Sequence, residues 1–100
     1  MVQRTKEASI TKSIRDFLKV MGIFHYKQSQ GYGSVPGIPD IVGIYNGKYL
    51  GIEVKTPTGR TSSHQELFIK KINEAGGIAF VARSVEDVIR SLGLQDRVVL

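Results

Sequence analysis

The spacing of apolar residues changes along the chain, and each change marks an element. Ile10, Ile14, Phe17, Leu18 and Met21 recur at intervals of three and four, the period of an amphipathic helix, and Gly22 follows them. A helix is therefore predicted from about Thr5 to Met21. Ile23 to Gln28 lacks that period and reads as a first strand. From Gln30 to Pro39 the residues Gly31, Gly33, Pro36, Gly37 and Pro39 permit tight turns and predict a loop. Two β-rich runs, Ile41 to Tyr45 and Lys48 to Lys55, flank Asn46-Gly47, the strongest short-range hairpin signal.

Polar residues from Thr56 to Ser63 lead into a second helix carrying Leu67, Phe68, Ile69 and Ile72, stopped by Gly76-Gly77. Ile78 to Ala82 suits a buried strand. Ser84, with Asp87 three residues on, opens a third helix bearing Val85, Val88, Ile89 and Leu92 and closing at Gly93. The predicted order is α-β-β-β-α-β-α. A helix between a hairpin and a later strand implies a crossover, so the fold class is α/β, a small mixed β-sheet flanked by helices. The apolar tail, Arg97 to Leu100, fits either an edge strand or a dimer contact.

One hundred residues, 41% of them hydrophobic, suffice for one domain, 1–100, with a folded core. The absence of cysteine excludes a disulfide framework, a thiolate zinc site and a cysteine nucleophile. No apolar run approaches the roughly 18 residues that span a bilayer, and the N-terminus lacks the apolar core of a signal peptide. An intracellular protein with no membrane partner is expected. Fourteen Lys and Arg against nine Asp and Glu give a net charge of +5, which suits a polyanionic partner. Carboxylates that persist in such a basic chain call for a reason.

Side chains alternate faces along a strand, so Leu50, Ile52 and Val54 are expected on a core face and Gly51, Glu53 and Lys55 on a charged one. Asp40 heads the partner strand, and a hairpin turning at Asn46-Gly47 brings it near the end of the second. Asp40, Glu53 and Lys55 therefore converge. Two adjacent carboxylates repel unless a cation lies between them. Hard divalent ions favour carboxylates, main-chain carbonyls such as that of Val54, water and phosphate. A solvated strand face is the competing reading of Glu53-x-Lys55, and a turn residue after Pro39 the competing reading of Asp40.

The series Gly37-Ile38-Pro39-Asp40, Gly51-Ile52-Glu53-Val54-Lys55 and then Gln65 resembles the PD-(D/E)xK nuclease pattern, and more narrowly its VRR-NUC subfamily in the stand-alone form typical of phages. The resemblance runs from about Lys6 to Leu92 and implies a restriction-endonuclease-like core. It implies that Asp40 and Glu53 bind magnesium (Mg2+) or manganese (Mn2+), that Lys55 assists the attacking water, and that Gln65 orients Lys55 or the water. Glu7 would be a further acid, for a second metal or a metal-bound water. It also implies a homodimer cutting branched DNA such as Holliday junctions. Glu7 has a competing role as a first-turn acid favoured by the helix dipole, and Gln65 as the last residue of a Ser62-x-x-Gln65 capping box.

DNA contacts are expected from Lys27, Gln28 and Ser29 and, in the Gly-rich loop, from Tyr32 and Ser34, which suit a backbone or an unpaired base. Lys12, Arg15, Lys70 and Lys71 would add electrostatic attraction. The loop lacks the Gly-Lys-Ser/Thr ending of a P-loop, so no nucleotide cofactor is expected. His25 and His64 are assigned no catalytic role. A catalytically silent DNA-binding module, a nuclease acting on other DNA or RNA structures, and an interaction protein with a structural metal fit the same residues.

Overall fold

A computed structural model describes residues 6–29 and 35–98. Its elements are α1 (Lys6–Val20), β1 (His25–Lys27), β2 (Ile41–Tyr45), β3 (Lys48–Val54), α2 (Ser63–Glu74), β4 (Ile78–Ala82) and α3 (Val85–Ser91), followed by one 3-10 turn, Gln95–Arg97. All predicted elements are present. β1 is shorter than expected, and β3 ends one residue before Lys55. The tail does not begin as an edge strand: Arg97 belongs to the 3-10 turn, Leu94 is buried before it, and residues 99–100 lie outside the described residues.

The four strands form one sheet in the order β1-β2-β3-β4, antiparallel except for the parallel pair β3 and β4. The hairpin turns at Asn46 (φ 51°) and Gly47 (φ 76°), flanked by the pair Tyr45 and Lys48. Two consecutive positive φ values are what a two-residue type I′ turn requires, and its twist matches that of the strands it joins.

One sheet face carries the core. Ile41, Leu50, Ile52 and Val54, each fully buried, meet Ile14 and Leu18 from α1 and Val88 and Ile89 from α3. These are the apolar positions that the helical and alternating periods select, so the amphipathic stripes find their partners here. α2 lies against the other face, over β3 and β4. Gly51 permits its approach, because a Cβ there would stand 2.9 Å from Pro39 Cγ and 3.4 Å from Ile72 Cδ1. Alternation predicts a charged face there. It is covered where it matters, and Glu53 is only 2% exposed. No helix among the described residues is long and apolar enough to cross a membrane.

Asn73 fastens α2 to the edge of the sheet. Its Nδ2 donates to Ala79 O and its Oδ1 accepts from Ala79 N, both at 2.9 Å. The amide thus occupies the outward peptide groups of β4, where another strand would otherwise add. Asn73→Ala leaves both groups without their partner and is expected to lower stability by about 1–3 kcal/mol, read as a fall in the chemical-denaturation midpoint. An unchanged midpoint would mean that water replaces the amide at no cost.

Candidate active site

Register alone brings the two carboxylates together. Ile41 pairs with Ile52 in the antiparallel hairpin, so Asp40 and Glu53 face one another one step beyond that pair. Asp40 is held from both sides. Its main-chain carbonyl accepts from Gln28 N at 2.7 Å, extending the β1 pairing, and its Oδ2 accepts from Val54 N at 2.8 Å. Asp40 is thus fastened across the hairpin, which excludes a role limited to ending the Pro39 turn.

Glu53 sits under α2 with its two oxygens in different surroundings. Oε1 accepts from Gln65 Nε2 at 2.7 Å and lies 3.9 Å from Lys55 Nζ. Oε2 is buried and has no hydrogen-bond partner among the described residues. Burial pushes the Glu53 carboxyl up to about 8, with the charge of Asp40 and contact with its carboxyl adding to the effect, Lys55 opposing it, and the charge of Glu7 raising it further. The cluster is an acidic pair short of positive charge.

Gln65 closes the capping box and also reaches Glu53. Ser62 Oγ accepts from Gln65 N at 3.2 Å, and Gln65 Oε1 accepts from Ser62 N at 2.8 Å, which closes a capping box at the start of α2. Because the amide oxygen is engaged by the cap, the amide nitrogen is turned toward Glu53. Capping is what aims the side chain. Lys55 shares the strand face of Glu53 as alternation requires, and its side chain is largely covered, with 16% exposed.

The remaining expected residues are placed less centrally. Glu7 lies in the first turn of α1, where its main-chain carbonyl accepts from Thr11 Oγ1, and it affects Glu53 through charge. Val54 meets Asp40 through its N–H. Lys27, Gln28 and Ser29 line a hollow together with Asp40. Tyr32 and Ser34 lie outside the described residues. His25 turns its Nδ1 to Ile23 O at 2.9 Å. Among the described residues no three of His, Cys, Asp and Glu gather as a metal site.

Two supporting residues carry no periodic signal. Arg83 donates through Nη1 to Thr56 O and Gly59 O, each at 2.6 Å, and so ties down the polar stretch that follows Lys55. Gly37, at φ 85°, lies so close to the first turn of α2 that a Cβ would be 2.3 Å from His64 O. The left-handed φ disfavours other residues, and the main-chain contact excludes any side chain. Only the local richness in glycine and proline hinted at this.

A mixed four-stranded sheet with helices on both faces, and a carboxylate pair at the open end of its hairpin, defines a restriction-endonuclease-like fold. The VRR-NUC domain model matches residues 2–86, and the chain belongs to that nuclease family. One solved structure described as a VRR_NUC domain superposes with a TM-score of 0.75 at 24% identity, covering 92% of this chain and 99% of the other. Another, a VRR_NUC domain protein, gives a TM-score of 0.71 at 16% identity, covering 96% of this chain and 92% of the other. A Holliday junction resolvase RecU of Staphylococcus carnosus (strain TM300) is 36% identical over 59 residues, covering 52% of this chain and 28% of that protein. The similarity thus spans less than a third of the resolvase.

Proposed function

We propose that this protein is a divalent-metal-dependent nuclease that hydrolyses phosphodiester bonds in DNA, with branched DNA of the Holliday-junction type as substrate and a homodimer as the acting form. The observation that carries this reading is the facing pair Asp40 and Glu53, with Lys55 Nζ 3.9 Å from Glu53 Oε1. The donor set fits Mg2+ or Mn2+. Both ligands are hard oxygens, Glu53 Oε2 is buried without a donor, and magnesium sites commonly use one or two carboxylates with water and substrate phosphate completing the shell. The Val54 carbonyl and Glu7 are further oxygen donors in this reading. A bound ion supplies a more acidic water and neutralises charge on the phosphoryl group.

The chain's own groups do the rest. Gln65 holds Glu53 in one orientation, and the Val54 N–H holds Asp40. The Lys55 ammonium orients the attacking oxygen or stabilises charge that develops in the transition state. Branched DNA is supported by the resolvase likeness. On the sheet face beside α2, Phe24 (68%), Tyr26 (48%) and Ile44 (50%) are exposed, an apolar area that a second copy would cover.

The test is cleavage of labelled four-way junction, flap, single-stranded and linear duplex DNA in magnesium or manganese by wild type, Asp40→Ala and Lys55→Ala. Cutting by wild type alone, with the junction preferred, is expected. Equal cutting by all three would defeat the assignment, and tight junction binding with no cutting would identify a silent module. Sedimentation showing only a monomer at working concentration would remove the homodimer.

A further inference from the structure

The outer side of α1 carries Ala8, Lys12, Arg15 and Lys19 at intervals of four, three and four, one stripe of a helix. With Thr11, Asp16 and, from β1, Lys27, that stripe lines an open hollow of about 410 Å³. Lys27 also lines the neighbouring hollow of about 480 Å³ that contains Gln28, Ser29 and Asp40. The two hollows meet at this lysine. Lys27 therefore stands between the hollow that holds Asp40 and the one that runs along α1.

The hollow along α1 is predominantly basic. Its one acid among the described residues, Asp16, is engaged by Lys12 at 2.6 Å, while Asp40 stands in the neighbouring hollow. That hydrogen bond holds the Asp16 carboxyl below its ordinary value against desolvation, with the charges of Lys12, Lys19 and Arg15 acting in the same direction. Arg15, Lys19 and Lys27 have no ion pair among the described residues, and Arg15 Nε is buried without a hydrogen-bond partner among them. On α2, by contrast, Lys70 pairs with Glu74 at 3.7 Å.

We infer that the groove between α1 and β1 binds the phosphate backbone of the nucleic-acid arm next to the cut, with Arg15, Lys19 and Lys27 as its contacts. From Ala8 to Lys19 the helix rises about 16 Å at 1.5 Å per residue. At about 3.4 Å of duplex axis per phosphate on one strand, that length accommodates four or five phosphates. The inference rests on the reading that this protein acts on nucleic acid, and it gives the substrate a direction: the arm leaves Asp40 past Lys27 and along α1, not across α2.

Fluorescence anisotropy with a labelled four-way junction, in EDTA over a range of salt concentrations, tests the groove apart from catalysis. Lys19→Ala and Lys27→Ala, both at exposed positions, should each lower the slope of log K against log salt by about one. Arg15→Gln with both should lower it by about three and weaken binding a hundredfold or more at 0.1 M salt. Lys70→Ala with Lys71→Ala should leave the slope near wild type. In magnesium, the groove variants should raise KM while kcat stays within about threefold. A wild type that cuts DNA while groove and α2 variants show the same slope would overturn the groove and leave the nuclease reading standing. Groove-dependent binding without cutting would do the reverse. Equal losses from groove and α2 changes would mean that net charge alone acts, and would also overturn the inference.

Discussion

Asp40→Asn is expected to reduce metal-dependent cleavage by about a thousandfold or more while leaving the metal-free protein about as stable as wild type, and more stable above about pH 8. The two effects have separate causes. Asparagine keeps an oxygen that can accept from Val54 N, the bond now made at 2.8 Å, so the end of the hairpin stays fastened. Above about pH 8, where Glu53 is ionised, it also removes one of two opposing charges, and relief of like-charge repulsion is stabilising. On the proposed reading the same change takes a hard anionic ligand from a site with few others, since no cluster of three ligating side chains exists among the described residues. Metal catalysis supplies several kcal/mol of charge stabilisation, and each 1.4 kcal/mol is tenfold in rate. Single-turnover cleavage and thermal melting in EDTA measure the two effects. Cleavage within tenfold of wild type would remove Asp40 from the chemistry.

The second large effect concerns pH. With its carboxyl at about 8 in the folded chain against an ordinary 4.5, Glu53 holds a proton in the native state that the unfolded chain has lost throughout that window. The native state then binds more protons, so stability falls as pH rises from about 4.5 to about 8 and the loss is complete above 8. Without metal, the melting temperature is therefore expected to decline between pH 5 and pH 9. Glu53→Gln should flatten the decline and raise the melting temperature most at the alkaline end. Added magnesium or manganese should stabilise wild type more at high pH than at low, because an ion that binds only the native state competes there with no proton. A flat profile in wild type would mean that the folded chain does not hold the Glu53 proton above its ordinary range.

Much of the fold was legible because period and punctuation agree. The three-four spacing of Ile10 to Met21, the Asn46-Gly47 turn, and the Ser62 and Ser84 caps each mark an element through local chemistry, and the structure places helix, hairpin and caps there. The convergence of Asp40 with Glu53 was equally readable, since strand alternation and a two-residue turn fix the register. What the sequence did not reveal depends on contacts between distant segments. Arg83 reaches back 27 residues to Thr56. Gln65 looked like either a cap or a site residue because a spacing rule cannot express one amide that closes the cap and also donates to Glu53. The burial of Glu53 comes from α2 lying over a face that alternation alone marks as charged. Lys19 has no motif, and its place in the groove follows from where α1 packs relative to β1.

The contact of Gly37 with His64 bears on how related sequences can diverge. Because main chain meets main chain with no room for a Cβ, the segment that delivers Asp40 and the helix turn that delivers Gln65 keep a fixed separation that no side-chain change can absorb. Drift is then free on either side of the contact but not across it. Residues 35–39 and the first turn of α2 should covary among homologues as one inherited block, and an insertion in either segment would have to be matched in the other for both residues to reach the same carboxylate.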